Sequence, residues 1–399
     1  MSSVSDFSKT LSATKQLEMP NFADPNILEL EDFNQLLKYC LANKVDDLIL
    51  MSGNPWAVMW SDRVIRVGRK NRTTPELSRL LNILQGSENA SIDVRSKANP
   101  ADFAYSLMVE RGMMVRFRVS CTSCLDADGQ GGGLHFVIRP AGKIPPTMDM
   151  LGLPKLIQDA SMPASGIVLV TGPTGSGKTT LLDSIMRAQA TREDGRHILT
   201  FYAPIENDLN RIPDITGIIS QCEIGKPGYG ANIRSFPEAV ANALRRHPNV
   251  VLIGEARDKE TIEGAVTLAM TGHTTYTTTH TSSVHNAVSR MADSFPDRTR
   301  ITTSLIDNLR LIIHQRLVKT PEGIGRSPIQ SALVLTQDVR SDLARLSSID
   351  LIPAAMNEYT KDPRIGINLL DDAIAKFEAK KIHEDEVYAI ERELKSERF

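Results

Sequence analysis

The sequence predicts a two-part chain, a small α+β region followed by an α/β region built on a parallel sheet, and three observations carry that reading. At 399 residues the chain exceeds what one ordinary core organises, and length over roughly 150 suggests two or three domains. The run "RPAGKIPPTMD" holds three prolines, which resist helix and strand alike, and marks a linker centred near Pro145. After it, strands alternate with helices, as crossover connections between parallel strands require.

Composition bounds the function. Hydrophobic residues make up 41% and charged residues 24%, near the globular average. The 46 basic and 48 acidic side chains leave a net charge of -2, so no bulk field draws the chain to nucleic acid. No apolar run approaches the roughly 20 residues of a membrane span, and "MSSVSDFSKTLSATKQ" has no apolar h-region; the expected compartment is the cytoplasm. The four cysteines agree with a reducing compartment. Cys121 and Cys124 form a C-x-x-C, but with no second cysteine pair and no histidine at ligand spacing they read as two small residues near a strand end rather than a metal or redox site.

The elements follow in order. Residues 1–26 are polar and aperiodic and read as a flexible tail. "LEDFNQLLKYCLANKV" places Phe33, Leu36, Leu37, Cys40 and Leu41 on one helical face and opens a domain spanning 27–140. "DDLILMSG", "WAVMWSDRVIRVG", "MVRFRVSC" and "GLHFVIRP" read as short strands, with one helix near "ELSRLLNILQ". In "MVRFRV", alternation puts Val115, Phe117 and Val119 on one face and Arg116 and Arg118 on the other. A linker at 141–150 leads into the α/β region at 151–340, and 341–399 reads as closing helices.

The strongest motif is "GIVLVTGPTGSGKTT", where an apolar strand leads into Gly172-Pro173-Thr174-Gly175-Ser176-Gly177-Lys178-Thr179, followed by Thr180. Its glycines let backbone N–H groups face phosphates, Lys178 reaches β/γ oxygens, Thr179 can ligand Mg2+, and the helix that follows offers its positive end. This G-x-x-x-x-G-K-[ST] pattern arises by chance in roughly one or two of a hundred such chains. A P-loop enzyme also needs acids at neighbouring strand ends. "NVVLIGEARD" ends a buried run in Gly254-Glu255, with glycine rather than aspartate before the acid, and "HILTFYAPIE" ends in Glu206. Glu206 stands beside the loop if these two strands flank the P-loop strand.

The segments "VTGPTGSGKTT", "ILTFYAPIE", "LRRHPNVVLIGEARDKETIEGAVTLAMTGH" and "TTTHTSSVHNAVSRM" resemble, in order and spacing, the P-loop, Asp box, Walker B and His box of the secretion ATPases, which power type II and type IV secretion and type IV pili. "MVRFRVSC" and "FVIRP" resemble that family's N-terminal domain, and "GINLLDDAIAKFEAKKIHEDEVYAI" its closing helices. Tyr202-Ala203 stands where pilus ATPases usually carry Glu-Asp, and the Ala-Pro-Ile-Glu form with "NALRR" is similar to the DotB-like ATPases of type IVB secretion and the TraJ-like ATPases of conjugative plasmids. The resemblance implies a RecA-like P-loop domain preceded by a PAS-like α+β domain and followed by C-terminal helices, ATP and Mg2+ as ligands, and a homo-hexamer. Such a hexamer would work in the cytoplasm at the inner membrane, held there by components of a secretion or conjugation channel, with no sequence-specific nucleic-acid binding. It implies that Glu206 orients the attacking water and Glu255 holds the magnesium shell, a split that either acid could reverse. His273 and His280 would sense the γ-phosphate and meet neighbouring subunits, and Arg116, Arg118 and Arg139 would neutralise charge on nucleotide held between subunits. Other readings are a pilus ATPase, a RecA-like DNA motor, for which no basic or aromatic strand channel is visible, and a nucleotide-regulated scaffold.

Overall fold

The computed structural model describes residues 20 and 23–396 apart from 61–62, 112, 127–128, 130, 142–143, 226–230 and 322–324. Two compact units divide the chain, one up to residue 142 and the other of residues 143–227 and 231–399.

In the first unit the elements run α1 (Leu30–Ala42), β1 (Asp47–Met51), β2 (Ala57–Trp60), β3 (Arg63–Arg66), α2 (Thr74–Gln85), α3 (Ala90–Ser96), β4 (Ala101–Glu110), β5 (Met113–Leu125) and β6 (Gly131–Ala141). The strands form one antiparallel sheet in the order β3-β2-β1-β6-β5-β4. Helix α1 buries Phe33, Leu36, Leu37 and Cys40 and packs on β1. Helix α2 starts on a capping box, in which Thr73 accepts from the Glu76 N–H and the Glu76 carboxylate from the Thr73 N–H, and it ends on Gly86 at φ 62°. Phe117, Val119 and Cys121 on β5 are fully buried while Arg118 is exposed, so the sheet face opposite the core carries the arginines. The sequence reading missed β4 and α3. The expected tail, 1–26, lies mostly outside the described residues, but Asp24 within it is tied down. Its carboxylate accepts from Trp56 Nε1 at 3.2 Å, from the Lys70 N–H at 2.9 Å and from Arg72, a fully buried guanidinium that also pairs with Glu76. Burying Arg72 is tolerable because both partners are acids. Cys121 lies in the interior of β5 rather than near its end, where burial pushes its thiol well above the ordinary range. An offset of three along a strand turns Cys124 to the other face.

The second unit contains α4 (Lys155–Ala160), β7 (Gly166–Thr171), α5 (Lys178–Ala190), β8 (His197–Tyr202), β9 (Ile218–Glu223), α6 (Phe236–Ala243), β10 (Val250–Ile253), α7 (Lys259–Met270), β11 (Thr274–Thr279), α8 (Ala287–Ala292), α9 (Arg298–Asn308), β12 (Leu309–Lys319), β13 (Arg326–Val334), α10 (Gln337–Ala344), α11 (Ile352–Tyr359), β14 (Gly366–Ile367), α12 (Leu369–Glu378) and α13 (Glu384–Ser396). Its sheet runs β14-β13-β12-β7-β11-β10-β8-β9. From β12 to β9 the neighbours are parallel, while β13 and β14 are antiparallel additions, so the expected parallel sheet is a mixed one. Helices cover both faces. Ile167 and Leu169 of β7 join a core with α7 to α11, and the intervening Val168 and Val170 join one with α4 and α5, which is why β7 reads as a continuous apolar run. Helices α12 and α13 close over β13 around Ile329, Leu369, Ala373, Ile382 and Ile390.

The topology corrects one expectation about the site. The strands carrying Glu255 and Glu206 do not flank the P-loop strand. The neighbours of β7 are β12 and β11, so β10 stands two places away and β8 three. Strand β11, "TTYTTT", is fully buried but lacks the aliphatic run by which the other inner strands announce themselves.

Candidate active site

The loop from Gly172 to Gly177 joins β7 to the N-terminus of α5, at the carboxyl edge of the parallel strands where open α/β sheets bind ligands. Two of its glycines are required by contact as well as conformation. Gly172 has φ 141°, and a Cβ there would lie 2.3 Å from the Gln315 carbonyl oxygen. Gly177 has φ 81°, and a Cβ there would lie 2.9 Å from Gln315 Nε2. Lys178 folds back on the loop, its Nζ donating to the carbonyls of Gly172 and Pro173, each at 2.9 Å. Burial pushes its ammonium down from the ordinary lysine range, and Glu255 opposes that shift. Ser176 Oγ is buried with no hydrogen-bond partner, a hydroxyl suited to a phosphate oxygen. Thr179 and Thr180 lie half-buried in the first turn of α5, and Pro173, Thr174 and Gly175 are exposed on the loop.

Glu255 follows β10. Its backbone is pinned by three bonds: the Gly254 N–H to the Phe201 carbonyl at 2.8 Å, Thr278 Oγ1 to the Gly254 carbonyl at 2.6 Å, and the Ala256 N–H to the Thr278 carbonyl at 2.9 Å. A Cβ on Gly254 would sit 3.0 Å from the Phe201 carbonyl oxygen, so close approach to β8 explains glycine before this acid. Among the described residues the charge contacts of the carboxylate are long, His280 Nε2 at 3.6 Å and Arg257 at 3.8 Å, and its side chain is 27% exposed. The fold therefore brings Lys178, Glu255 and His280 to one edge.

His273 is elsewhere. It precedes β11, whereas His280 follows it, and its carbonyl accepts from the Gly166 N–H at the far end of β7 from the loop. Six strand residues put it about 20 Å from the phosphate edge. Its Nδ1 lies 3.0 Å from both Thr271 Oγ1 and the Leu268 carbonyl. Within its own chain His273 cannot reach a γ-phosphate on this loop, which corrects that expectation.

Glu206 is exposed on the segment after β8, and its neighbours are fixed on both sides. Gln221 accepts from the Leu209 N–H at 2.8 Å and donates to the Asn207 carbonyl at 3.0 Å. Asn207 Nδ2 donates at 2.6 Å to Asp183 on α5, and the Tyr202 hydroxyl donates to the other Asp183 oxygen. Burial pushes the Asp183 carboxyl up to about 7 against these two donors, and nearby Glu206 adds to the rise. The sequence reading missed Asp183, whose only signal is an acid on the buried face of the P-loop helix. It also missed His314 and Gln315, a polar pair inside the apolar strand "LRLIIHQRLVK". His314 is buried with Nδ1 3.2 Å from Thr171 Oγ1, while Arg316 Nε donates to its Nε2 at 3.2 Å. The donor-only guanidinium leaves the ring proton on Nδ1, facing Thr171. Burial, helped by Arg316, pushes the imidazole down to about 4.

In the first unit, Arg118 of β5 stands directly opposite Arg139 of β6, with Arg116 two residues along the same face. Like charges so placed repel. Asp47 on β1 offsets this by accepting from Arg139 Nε at 2.7 Å and from its terminal nitrogen at 2.8 Å.

The donor set suits a nucleotide and its magnesium ion. Among the described residues no group of three or more His, Cys, Asp or Glu could hold a metal unaided, and Mg2+ at phosphate sites takes most of its ligands from phosphate and water. Thr179 and Glu255 are the residues that would hold it.

The model of the family of type II/IV secretion system proteins matches residues 70–343. The type IV pilus ATPase PilU of Pseudomonas aeruginosa is 30% identical over 348 residues, 86% of this chain and 84% of PilU. PilT of the same organism is 30% identical over 318 residues, 78% of this chain and 84% of its own. The solved ATPase DotB of Legionella pneumophila superposes with a TM-score of 0.81 at 31% identity, covering 93% of this chain and 98% of that one. A family match across most of the chain, with the loop and acids standing as described, establishes that the protein belongs to the type II/IV secretion ATPase family.

Proposed function

We propose that this protein is a hexameric ATPase that couples hydrolysis to the assembly or operation of a type IV, IVB-like, secretion or conjugation apparatus. The observation that carries this reading is the likeness to DotB along nearly the whole chain, supported by the Ala203-Pro204-Ile205-Glu206 form of the segment after β8. ATP would lie with its phosphates on the loop amides of 172–179, and Lys178 would exchange its two carbonyl partners for β/γ oxygens. Magnesium held near Thr179 and Glu255 would supply positive charge against the phosphates. Glu206 orients the attacking water, and Arg116, Arg118 and Arg139 neutralise developing charge on nucleotide held by a neighbouring subunit. His280 links the Glu255 edge to the γ-phosphate, and His273, at the opposite edge, serves contact between subunits. Among the described residues no helix is long and apolar enough to cross a membrane, which suits peripheral attachment at the inner membrane through channel components.

The similarity to PilU and PilT favours a second reading, a pilus retraction or assembly ATPase. Two experiments test the proposal. Purified protein should hydrolyse ATP only with Mg2+, and Lys178→Ala should lower turnover about a hundredfold or more while the chain stays folded, since it removes the charge set on the β/γ oxygens. Deleting the gene should abolish plasmid transfer or effector export and spare twitching; loss of twitching with transfer intact would favour the pilus reading instead.

A further inference from the structure

A chain of buried polar side chains runs from the phosphate loop to the C-terminal helices. Gln315 Nε2 donates to the Ser176 carbonyl at 2.7 Å. Gln315 Oε1 accepts from Gln330 Nε2 at 2.8 Å, across a β12–β13 pair in which the two residues stand directly opposite. Gln330 Oε1 accepts from Lys376 Nζ of α12 at 3.5 Å. Lys376 pairs with Asp372 at 2.8 Å, and Asp372 Oδ2 accepts from the Gln330 N–H at 2.7 Å, closing the circuit. None of these five residues is more than 6% exposed.

The direction of the chain is fixed from both ends. An ammonium only donates, so Gln330 turns its oxygen to Lys376 and its NH2 to Gln315. A carbonyl only accepts, so Gln315 turns its NH2 to Ser176. The two requirements agree. The consequence falls on the loop: in a trans peptide C=O and N–H point opposite ways, so holding the Ser176 carbonyl toward Gln315 aims the Gly177 N–H away from it. That amide is one of those a P-loop turns to phosphate. The Gln315 backbone also limits the other end of the loop, since its carbonyl oxygen occupies the space a Gly172 Cβ would need.

We propose that helix α12 sets the geometry of the phosphate loop through the chain Lys376–Gln330–Gln315–Ser176, which makes Gln315, Gln330 and Lys376 positioning residues for the ATPase. The inference rests on the loop's role in nucleotide binding. It goes beyond that role by giving the C-terminal helices a direct hold on it, so that a partner pulling on α12 alters nucleotide affinity without touching the nucleotide.

Gln330→Glu separates positioning from packing. The substitution keeps volume and sets a second carboxylate, beside that of Asp372, against the Lys376 ammonium. A carboxylate cannot donate to Gln315, so Gln315 reverses its amide and presents its oxygen to the Ser176 carbonyl. We expect binding of a fluorescent ADP analogue to weaken about tenfold, the order of one lost hydrogen bond with an added repulsion, and KM for ATP to rise more than kcat falls. In nucleotide-free protein, hydrogen exchange over residues 172–179 should quicken while the rest of the sheet keeps its protection. Asp372→Asn/Lys376→Met, which removes the donor and leaves no buried charge, should act in the same direction and carries the test should Gln330→Glu fail to fold. Wild-type affinity and unchanged loop exchange in a folded variant overturn the proposal. The exchange measurement needs no ligand, so its failure is distinct from failure of the nucleotide reading, which is tested by binding to the wild-type protein.

Discussion

The Tyr202 hydroxyl at the end of β8 donates to the Asp183 carboxyl on the P-loop helix, fastening the strand that precedes Glu206 to the helix that follows the loop. By the resemblance to the secretion ATPases, Tyr202 stands at a position where an acid is expected in the pilus members. A second carboxylate in its place would face Asp183 across a buried gap, and tyrosine supplies a donor instead.

This contact has a pH signature. Burial holds the Asp183 carboxyl up at about 7, above its unfolded value of 3.8, with Tyr202 and Asn207 opposing and Glu206 assisting. Between those values the folded chain binds the extra proton, so the stability tied to Asp183 is complete below the unfolded value and is lost as pH rises through about 7. The melting temperature should therefore fall between about pH 4 and 7 more steeply in the wild type than in Asp183→Asn, which cannot ionise. Parallel profiles for the two proteins would sink the assignment.

The two acids should separate in kinetics. Glu255 couples electrostatically to Lys178, while Glu206 couples to Asp183 and Tyr202. Glu206→Gln should keep nucleotide affinity and lose about a hundredfold or more in rate, because a water-orienting group acts in the transition state. Glu255→Gln should raise the magnesium concentration needed for half-maximal turnover. Binding titrations and magnesium titrations on both variants decide it. A Glu206 variant whose affinity falls in step with its rate would reverse the roles.

How much of this was legible in the sequence depended on range. The P-loop was readable because every group it needs is contiguous. The first-unit arginine face was readable because a strand alternates with period two, as exposed Arg118 between buried Phe117 and Val119 illustrates. Strand β4 was missed because its outward Ala104 and Met108 are apolar and blur the alternation that Ala101, Phe103 and Leu107 carry on the buried face. Strand order was not legible, since pairing is a long-range choice. A run of threonines concealed the strand that separates β7 from β10, and Glu206 was read one neighbourhood too near the loop. Gln315 was invisible for the same reason: its partner Ser176 lies 139 residues earlier.

The arginine face tests the hexamer. Suppose Arg118 of one subunit reaches nucleotide held by Lys178 of the next. Arg118→Ala and Lys178→Ala subunits should then each be nearly inactive, the arginine alone being worth about a thousandfold. Mixed, they restore whole sites at some interfaces, so turnover should reappear and vary with the ratio. Normal hydrolysis by purified Arg118→Ala would return Arg116 and Arg118 to a solvated sheet face.

Both strands that flank β7 come later in the chain, at residues 274–279 and 309–319. A growing polypeptide that has just left the ribosome with its P-loop complete still has β7 without either partner, and more than a hundred further residues must emerge before both walls exist. Gln330 and Lys376 arrive later still. A half-made chain thus carries the nucleotide motif but lacks the frame that shapes it, and the surroundings of the loop are completed only when the last helices have been made.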